Sequence, residues 1–446
     1  MTANVPKKLT PSAAEFADRR RRLMAAMGGD SVAIIHAAPE QTRNSDVHYP
    51  YRQNSDFLYL TGFNEPESVA VLIPGRDTGE FLLFCRDRDP DREIWDGLRA
   101  GPEGAKRGYG ADESAPIAEF ANGLNQLLAG RIRLYYNFGQ DARHDQQLFS
   151  TLNTLREQGR RGLKAPPECV TLDSLLHEMR LFKSEAEIGL MRHAAQTSAR
   201  AHLEAMRVCK PGALEYQVAA QLHFEFARDG MEPAYPSIVG GGANACILHY
   251  IENTAELRDG DILLIDAGAE HAGYAADITR SFPINGKFSE PQREIYDLVL
   301  NAQLAAIDQV RAGNDYQAPH RAAVRILTEG LLNLGFIEGD LDEIIEREGY
   351  RDFYMHGTGH WLGMDVHDVG DYKHDGEWRK LEPGMVVTIE PGLYIRAGSK
   401  NVDERYWDIG IRIEDDVLVT AGEPDVLSKD VPKSADEIEA IVGKNA

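Results

Sequence analysis

A chain of 446 residues, 43% of them hydrophobic, has enough material for two or three domains with buried cores. Its 48 Lys and Arg face 71 Asp and Glu, and the resulting formal charge of −23 excludes unaided nucleic-acid binding, which needs clustered cations against phosphate. No apolar run approaches the roughly 18 residues of a membrane span, and four separated cysteines without CxxC spacing imply reduced thiols in the cytoplasm rather than disulfides or a zinc knuckle.

In chain order, the basic run at residues 19–22 belongs to a helical stretch and is expected to be a solvated helix face. The apolar segment after it is too short and interrupted for a secretory signal. Strand-like runs at 31–35, 69–73, 81–84 and 132–136 alternate with helical spacers such as residues 117–128, so this part reads as an α/β domain. Pro166 and Pro167 mark a linker. Beyond them Ser184 and Glu187 form a capping box, and Ile188, Met191, Ala195, Ala199, His202 and Met206 keep helical spacing until Pro211 and Gly212. Leu214, Val218, Leu222 and Phe226 predict a second helix ending at Gly230. Gly240, Gly241 and Gly242 precede neither GK[ST] nor a GxGxxG helix, so they are expected to give the backbone room beside His249 rather than to cradle a phosphate. No GxSxG elbow supports serine chemistry.

Next comes a sentence that the chain writes twice. Leu257, Gly260, Asp266 and Gly268 recur at constant spacing as Leu381, Gly384, Glu390 and Gly392. Each copy is a turn, a short apolar strand and an acid, followed by a second strand with another acid, Asp277 or Glu414. Between the copies, Ser289 and Gln292 open a helix reaching about Val310, and another runs from about Pro319 to Leu334. Two helices and a strand pair, repeated, predict a local pseudo-twofold. Strand alternation puts Ile262, Leu264 and Asp266 on one face, and likewise Val386, Thr388 and Glu390, and Arg412 and Glu414. A hairpin turning near residues 270–273 would set Asp266 against Asp277.

Four carboxylates converging on one half-buried patch raise one another's pKa values, and each costs several kcal/mol to desolvate without a partner. Two divalent cations balance them charge for charge. A lone Asp at a strand end is usually a turn former and a lone His usually a core donor; repetition and number argue otherwise here. His356 and His360 are four apart, but Gly357 and Gly359 oppose a helix and no Glu follows the first His, so the HExxH zinc motif is not met. The segment reads as a loop or strand bringing His360 and His367 to the acids. Oxygen-rich ligation with one imidazole favours Mn, Fe or Co over thiolate-type zinc.

Residues 262–268, 277–283, 356–367, 388–392 and 410–415 together resemble the pita-bread metallopeptidases, and among them the aminopeptidase P family; residues 49–66 and 246–250 extend the resemblance over nearly the whole chain. It implies an α+β protein, with a mixed α/β N-terminal domain over 1–175 and a pita-bread catalytic domain over 176–446 containing the internal pseudo-twofold. It implies two metal ions, expected to be Mn with Co, Fe or Zn as alternatives. Asp277 and Glu414 would bridge them, Asp266 would bind one, and His360 with Glu390 the other.

The same resemblance implies that His249 and His367 position substrate and stabilise the intermediate. Glu390 would pass a proton to the departing nitrogen, and Arg412 would order the surroundings of Glu414. Tyr235 and Trp95 would border the substrate pocket, Trp95 from a neighbouring subunit. The expected activity is removal of the residue preceding proline from a peptide N-terminus. The alternatives are a prolidase limited to dipeptides and an inactive binding module. Expected partners are peptides with proline at position two and a second or further copies of the chain, as a homodimer or homotetramer.

Overall fold

In a computed structural model that describes residues 10–444, the apolar run Ser31–His36 lies inside a six-stranded sheet. The strand order is Glu113–Pro116, Phe81–Cys85, Val69–Leu72, Ser31–His36, Arg133–Tyr135 and Glu168–Val170. Ser31–His36 pairs antiparallel with Val69–Leu72 and parallel with Arg133–Tyr135. Every residue of Val69–Leu72 and Phe81–Cys85 is buried, as β-branched and aromatic side chains covered on both faces require. Val32, Val71, Leu82, Phe120, Leu124 and Leu152 join one core across this sheet and the helices Ile117–Leu128 and Ala142–Glu157.

Two expectations for this half are corrected. Arg19 and Arg20 are not a solvated face: both are buried in the helix Ala13–Met27. Arg19 donates to the Tyr59 carbonyl at 3.1 Å and Arg20 to the Leu60 carbonyl at 2.8 Å, closing the C-terminal end of the helix Ser55–Thr61, where carbonyls lack intrahelical donors. Their guanidinium groups also lie over the Tyr59 and Phe81 rings, each 4.1 Å from the ring centroid. Pro166 and Pro167 do not separate domains, because Glu168–Val170 beyond them pairs parallel with Arg133–Tyr135 as an edge strand of the sheet. The chain divides instead into two units meeting between Arg180 and Leu181.

The second unit follows the repeated plan. Capping boxes at Ser184 and Ser289 open the helices Glu185–Val208 and Glu290–Asp308. Each packs against the next helix, Glu215–Arg228 and Ala318–Asn333 respectively. The strand Ile262–Asp266 then pairs antiparallel with Thr279–Pro283, setting Asp266 opposite Thr279. The turn falls at Ala272 and Gly273, both with positive φ, as a two-residue hairpin connection demands. In the second copy Val386–Ile389 pairs with Asp415–Leu418, and Gly392–Ile395 with Ile409–Arg412. One register runs through both ladders and sets Glu390 opposite Glu414.

The first strands of the copies are therefore equivalent, but the acids of the second strands are not. Glu414 occupies the place that Thr279 holds in the first hairpin, and Arg412 the place of Asp277. Asp277 and Glu414 are slipped by two residues, which keeps them on the same face of their strands and leaves the pseudo-twofold approximate.

Candidate metal centre

The strand ends open into a cleft of about 300 Å³ lined by Asp266, Asp277, His360, Glu390 and Glu414, with His249, His356, His367 and Arg412. All five side chains expected to bind metal thus meet at one place. Ligand atoms of Asp277, His360 and Glu414 lie within 4.8 Å of one another.

His360 arrives on extended chain, not on a helix. Its carbonyl accepts from the Thr388 backbone N–H at 2.9 Å, and the Thr358 carbonyl accepts from that of Glu390 at 2.8 Å, so the segment runs along Val386–Ile389. A Cβ on Gly359 would collide with the Thr388 carbonyl, which is why glycine stands between Thr358 and His360. The His360 Nδ1 lies 3.0 Å from the Trp361 carbonyl. Only N–H can satisfy a carbonyl, so Nδ1 is the donor there and Nε2 is the nitrogen turned to Asp277 Oδ2 at 3.5 Å and Glu390 Oε1 at 3.7 Å.

The acids are held by neutral donors and one guanidinium. The Tyr235 hydroxyl sits between Asp266 Oδ1, at 2.7 Å, and Asp277 Oδ1, at 2.5 Å. Burial and the two carboxylates push its pKa far up, so it stays a donor. Thr279 Oγ1 donates to Glu414 Oε2 at 2.6 Å. Arg412 Nη2 donates to Asp266 Oδ2 at 2.7 Å and Nε to Thr279 Oγ1 at 3.2 Å. Arg412 therefore bonds Asp266 directly and reaches Glu414 through Thr279.

Electrostatics show what the cluster lacks. Burial pushes Glu390 up to about 7, against the opposing charges of His360 and Arg412, and burial with the neighbouring acids pushes Glu414 well up. Asp266 is raised by burial more than Arg412 lowers it. Asp277, pushed up by burial, is pulled below its ordinary value by His360, and His360 in turn rises to about 9 despite burial. The imidazole serves as a cation for acids that have too little positive charge around them. Four carboxylates and one imidazole with its Nε2 turned to them fit a hard divalent cation.

His249 and His367 both line the cleft, with His367 stacked edge-on against His360 at 4.3 Å. Burial and the His360 charge keep His367 below the ordinary histidine range. Trp95 is 82% exposed on the helix Pro90–Asp96 of the first unit.

Sequence reasoning missed Thr279 and Tyr394 and passed over His356. Tyr394 accepts from Arg412 Nη1 at 3.0 Å and lies 2.8 Å from His356 Nε2. The signal for Thr279 was its position two residues past Asp277, on the same strand face.

Comparison with known proteins covers both units. Residues 189–421 match the model of metallopeptidase family M24 and residues 16–135 that of the aminopeptidase P N-terminal domain. The Xaa-Pro aminopeptidase of Escherichia coli (strain K12) is 49% identical over 96% of this chain and 97% of its own. The structure of Pseudomonas aeruginosa aminopeptidase PepP superposes with a TM-score of 0.96 at 53% identity, covering 97% of this chain and 98% of that one. Zinc-substituted E. coli aminopeptidase P in complex with product gives a TM-score of 0.94 at 48% identity, over 97% and 98%. The α+β fold, a mixed N-terminal domain followed by a pita-bread domain, is the one expected.

Proposed function

The chain belongs to metallopeptidase family M24, and on that premise we infer that the carboxylate cleft is its catalytic centre. Its activity is that of a metal-dependent Xaa-Pro aminopeptidase, which hydrolyses the bond between an N-terminal residue and a following proline. The observation that carries the assignment is the convergence of Asp266, Asp277, His360, Glu390 and Glu414 on one cleft with three further histidines, His249, His356 and His367. An inactive module would be expected to have lost some of these donors.

The five side chains would hold two divalent cations, for which the oxygen-rich set favours manganese. When bound, such ions activate water and polarise the carbonyl that is cut. The remaining work falls to the protein. Arg412 and Tyr235 fix the two oxygens of Asp266, so that carboxylate cannot rotate away. Neutral His367, with His249, offers ring N–H to the oxyanion that develops on the scissile carbonyl. Glu390 turns one oxygen to His360 and the other to His356, 3.9 Å away, and is the carboxyl placed to carry a proton to the departing nitrogen. That nitrogen needs one to leave as an amine, and in the tertiary amide before proline it carries no N–H of its own.

In the same reading the unit ending at Arg180 is the N-terminal domain and the one beginning at Leu181 the catalytic domain, five residues beyond the 175/176 boundary expected from the sequence. The enzyme is a cytoplasmic homodimer or homotetramer, with the exposed Ile94, Trp95 and Leu98, each at least 80% accessible, supporting an interface. Among the described residues no helix is long and apolar enough to cross a membrane. The test is to strip metal with a chelator, restore Mn, Co or Zn singly, and follow release of the first residue from dipeptide, tripeptide and longer Xaa-Pro substrates. Restored cleavage of the longer peptides, greatest with Mn, supports the reading. Cleavage confined to dipeptides would move it to prolidase, and turnover unchanged by stripping would end it.

A further inference from the structure

The loop that carries His249 is tied down by a carboxylate that stands outside the cleft. Glu215 opens the helix Glu215–Arg228 and has no exposed surface (0%). Its Oε1 accepts from the Gly241 backbone N–H at 2.9 Å and from Asn244 Nδ2 at 3.0 Å. Its Oε2 accepts from the Tyr250 hydroxyl and the Ala255 backbone N–H, both at 2.8 Å. Gly241 and Asn244 precede His249; Tyr250 and Ala255 follow it.

Between these anchors the chain has one 3-10 turn, Gly242–Cys246, and no strand ladder. A carboxylate accepting from four donors at once replaces the secondary structure that would otherwise fix such a segment. The loop also lies close on the strand Ile409–Arg412, since a Cβ on Gly410 would collide with the Ala245 carbonyl. Leu248 and His249 project from this braced loop into the cleft.

We propose that Glu215 is the positioning residue for His249, holding both ends of its loop so that the imidazole meets the substrate in one place. The proposal rests on the reading that His249 acts on substrate. Glu215→Gln tests it sharply. An amide has one oxygen and one NH₂, so in either orientation an N–H donor is turned towards the Gly241 or the Ala255 backbone N–H, and at least one anchor is lost.

The experiment is a double-mutant cycle on the metal-loaded full-length enzyme, reading kcat/KM for an Xaa-Pro-Xaa peptide together with bound metal. Glu215→Gln is expected to lower kcat/KM by about tenfold to a hundredfold, with metal content unchanged. In a His249→Ala background the same change is expected to cost less than about twofold, because the group being positioned is gone. Equal losses in both backgrounds would make Glu215 a general stabiliser and overturn the proposal, as would full activity of Glu215→Gln. Wild-type turnover in His249→Ala alone would instead remove the reading beneath it and the proposal with it. Should Glu215→Gln fail to fold, Tyr250→Phe, which deletes one of the four bonds, enters the same cycle with a smaller loss and the same dependence on His249.

Discussion

Arg412 and Asp266 are joined by a hydrogen-bonded ion pair of 2.7 Å, and the same guanidinium donates to Tyr394 at 3.0 Å and Thr279 at 3.2 Å. One planar group thus spans both hairpins of the repeat. Lysine keeps the charge but cannot make three bonds in a fixed plane. Arg412→Lys is expected to weaken metal binding or turnover by about tenfold to a hundredfold, the usual cost of losing a partner of a metal ligand. Calorimetric titration of the stripped enzyme with Mn²⁺, paired with rate measurements, checks it; unchanged affinity and rate would show that charge alone suffices.

Behind the cleft, Arg280 and Asp415 form a pair with no exposed side-chain surface, 2.7 Å apart. Arg280 also donates to the carbonyls of Glu414 at 2.6 Å, Thr279 at 2.9 Å and Val431 at 3.0 Å. Arg280→Met would leave these acceptors buried without their donor and is expected to cost about 3–5 kcal/mol of stability, read by denaturant unfolding. A loss under about 1 kcal/mol would mean that the remaining partners of Asp415, namely Lys433, Gln303 and Ser428, suffice.

His36 stacks on His144 with ring centroids 3.7 Å apart, and Phe120 and Tyr136 stand edge-on to it. Burial, then the charge of His144, pushes its pKa down to about 3 from 6.5, against the pull of Asp141. The folded state therefore disfavours the proton that the unfolded state takes up. The stability contributed by neutral His36 is complete above pH 6.5 and is lost progressively as pH falls from there towards 3. The melting temperature is expected to fall between about pH 7 and pH 5, and to fall less in His36→Phe. Parallel falls in the two proteins would clear His36 of the effect.

Much of the centre was legible because its signals are local or repeated. The capping residues Ser184 and Ser289 sit three before their partners, and the acids Asp266 and Glu390 recur at constant spacing. What escaped depends on pairing between distant segments. The two-residue slip of Asp277 against Glu414 is set by the register of each hairpin, which strand alternation alone leaves open. Arg412 chose Asp266 because the two copies face each other, and no spacing along the chain encodes that. The burial of Arg19 and Arg20 follows from a helix end at Tyr59 and Leu60, some forty residues away, whose carbonyls needed donors.

The central claim is that five side chains hold two divalent ions on which turnover depends. The most direct measurement is the number of ions retained per chain after stripped enzyme is loaded with Mn²⁺ and gel-filtered, for the wild type and for Asp277→Asn, with peptide hydrolysis recorded on the same samples. The account predicts two ions in the active wild type, and at most one, with turnover largely lost, in Asp277→Asn. Two ions and full turnover in Asp277→Asn, or full turnover by a wild type that retains none, would contradict it.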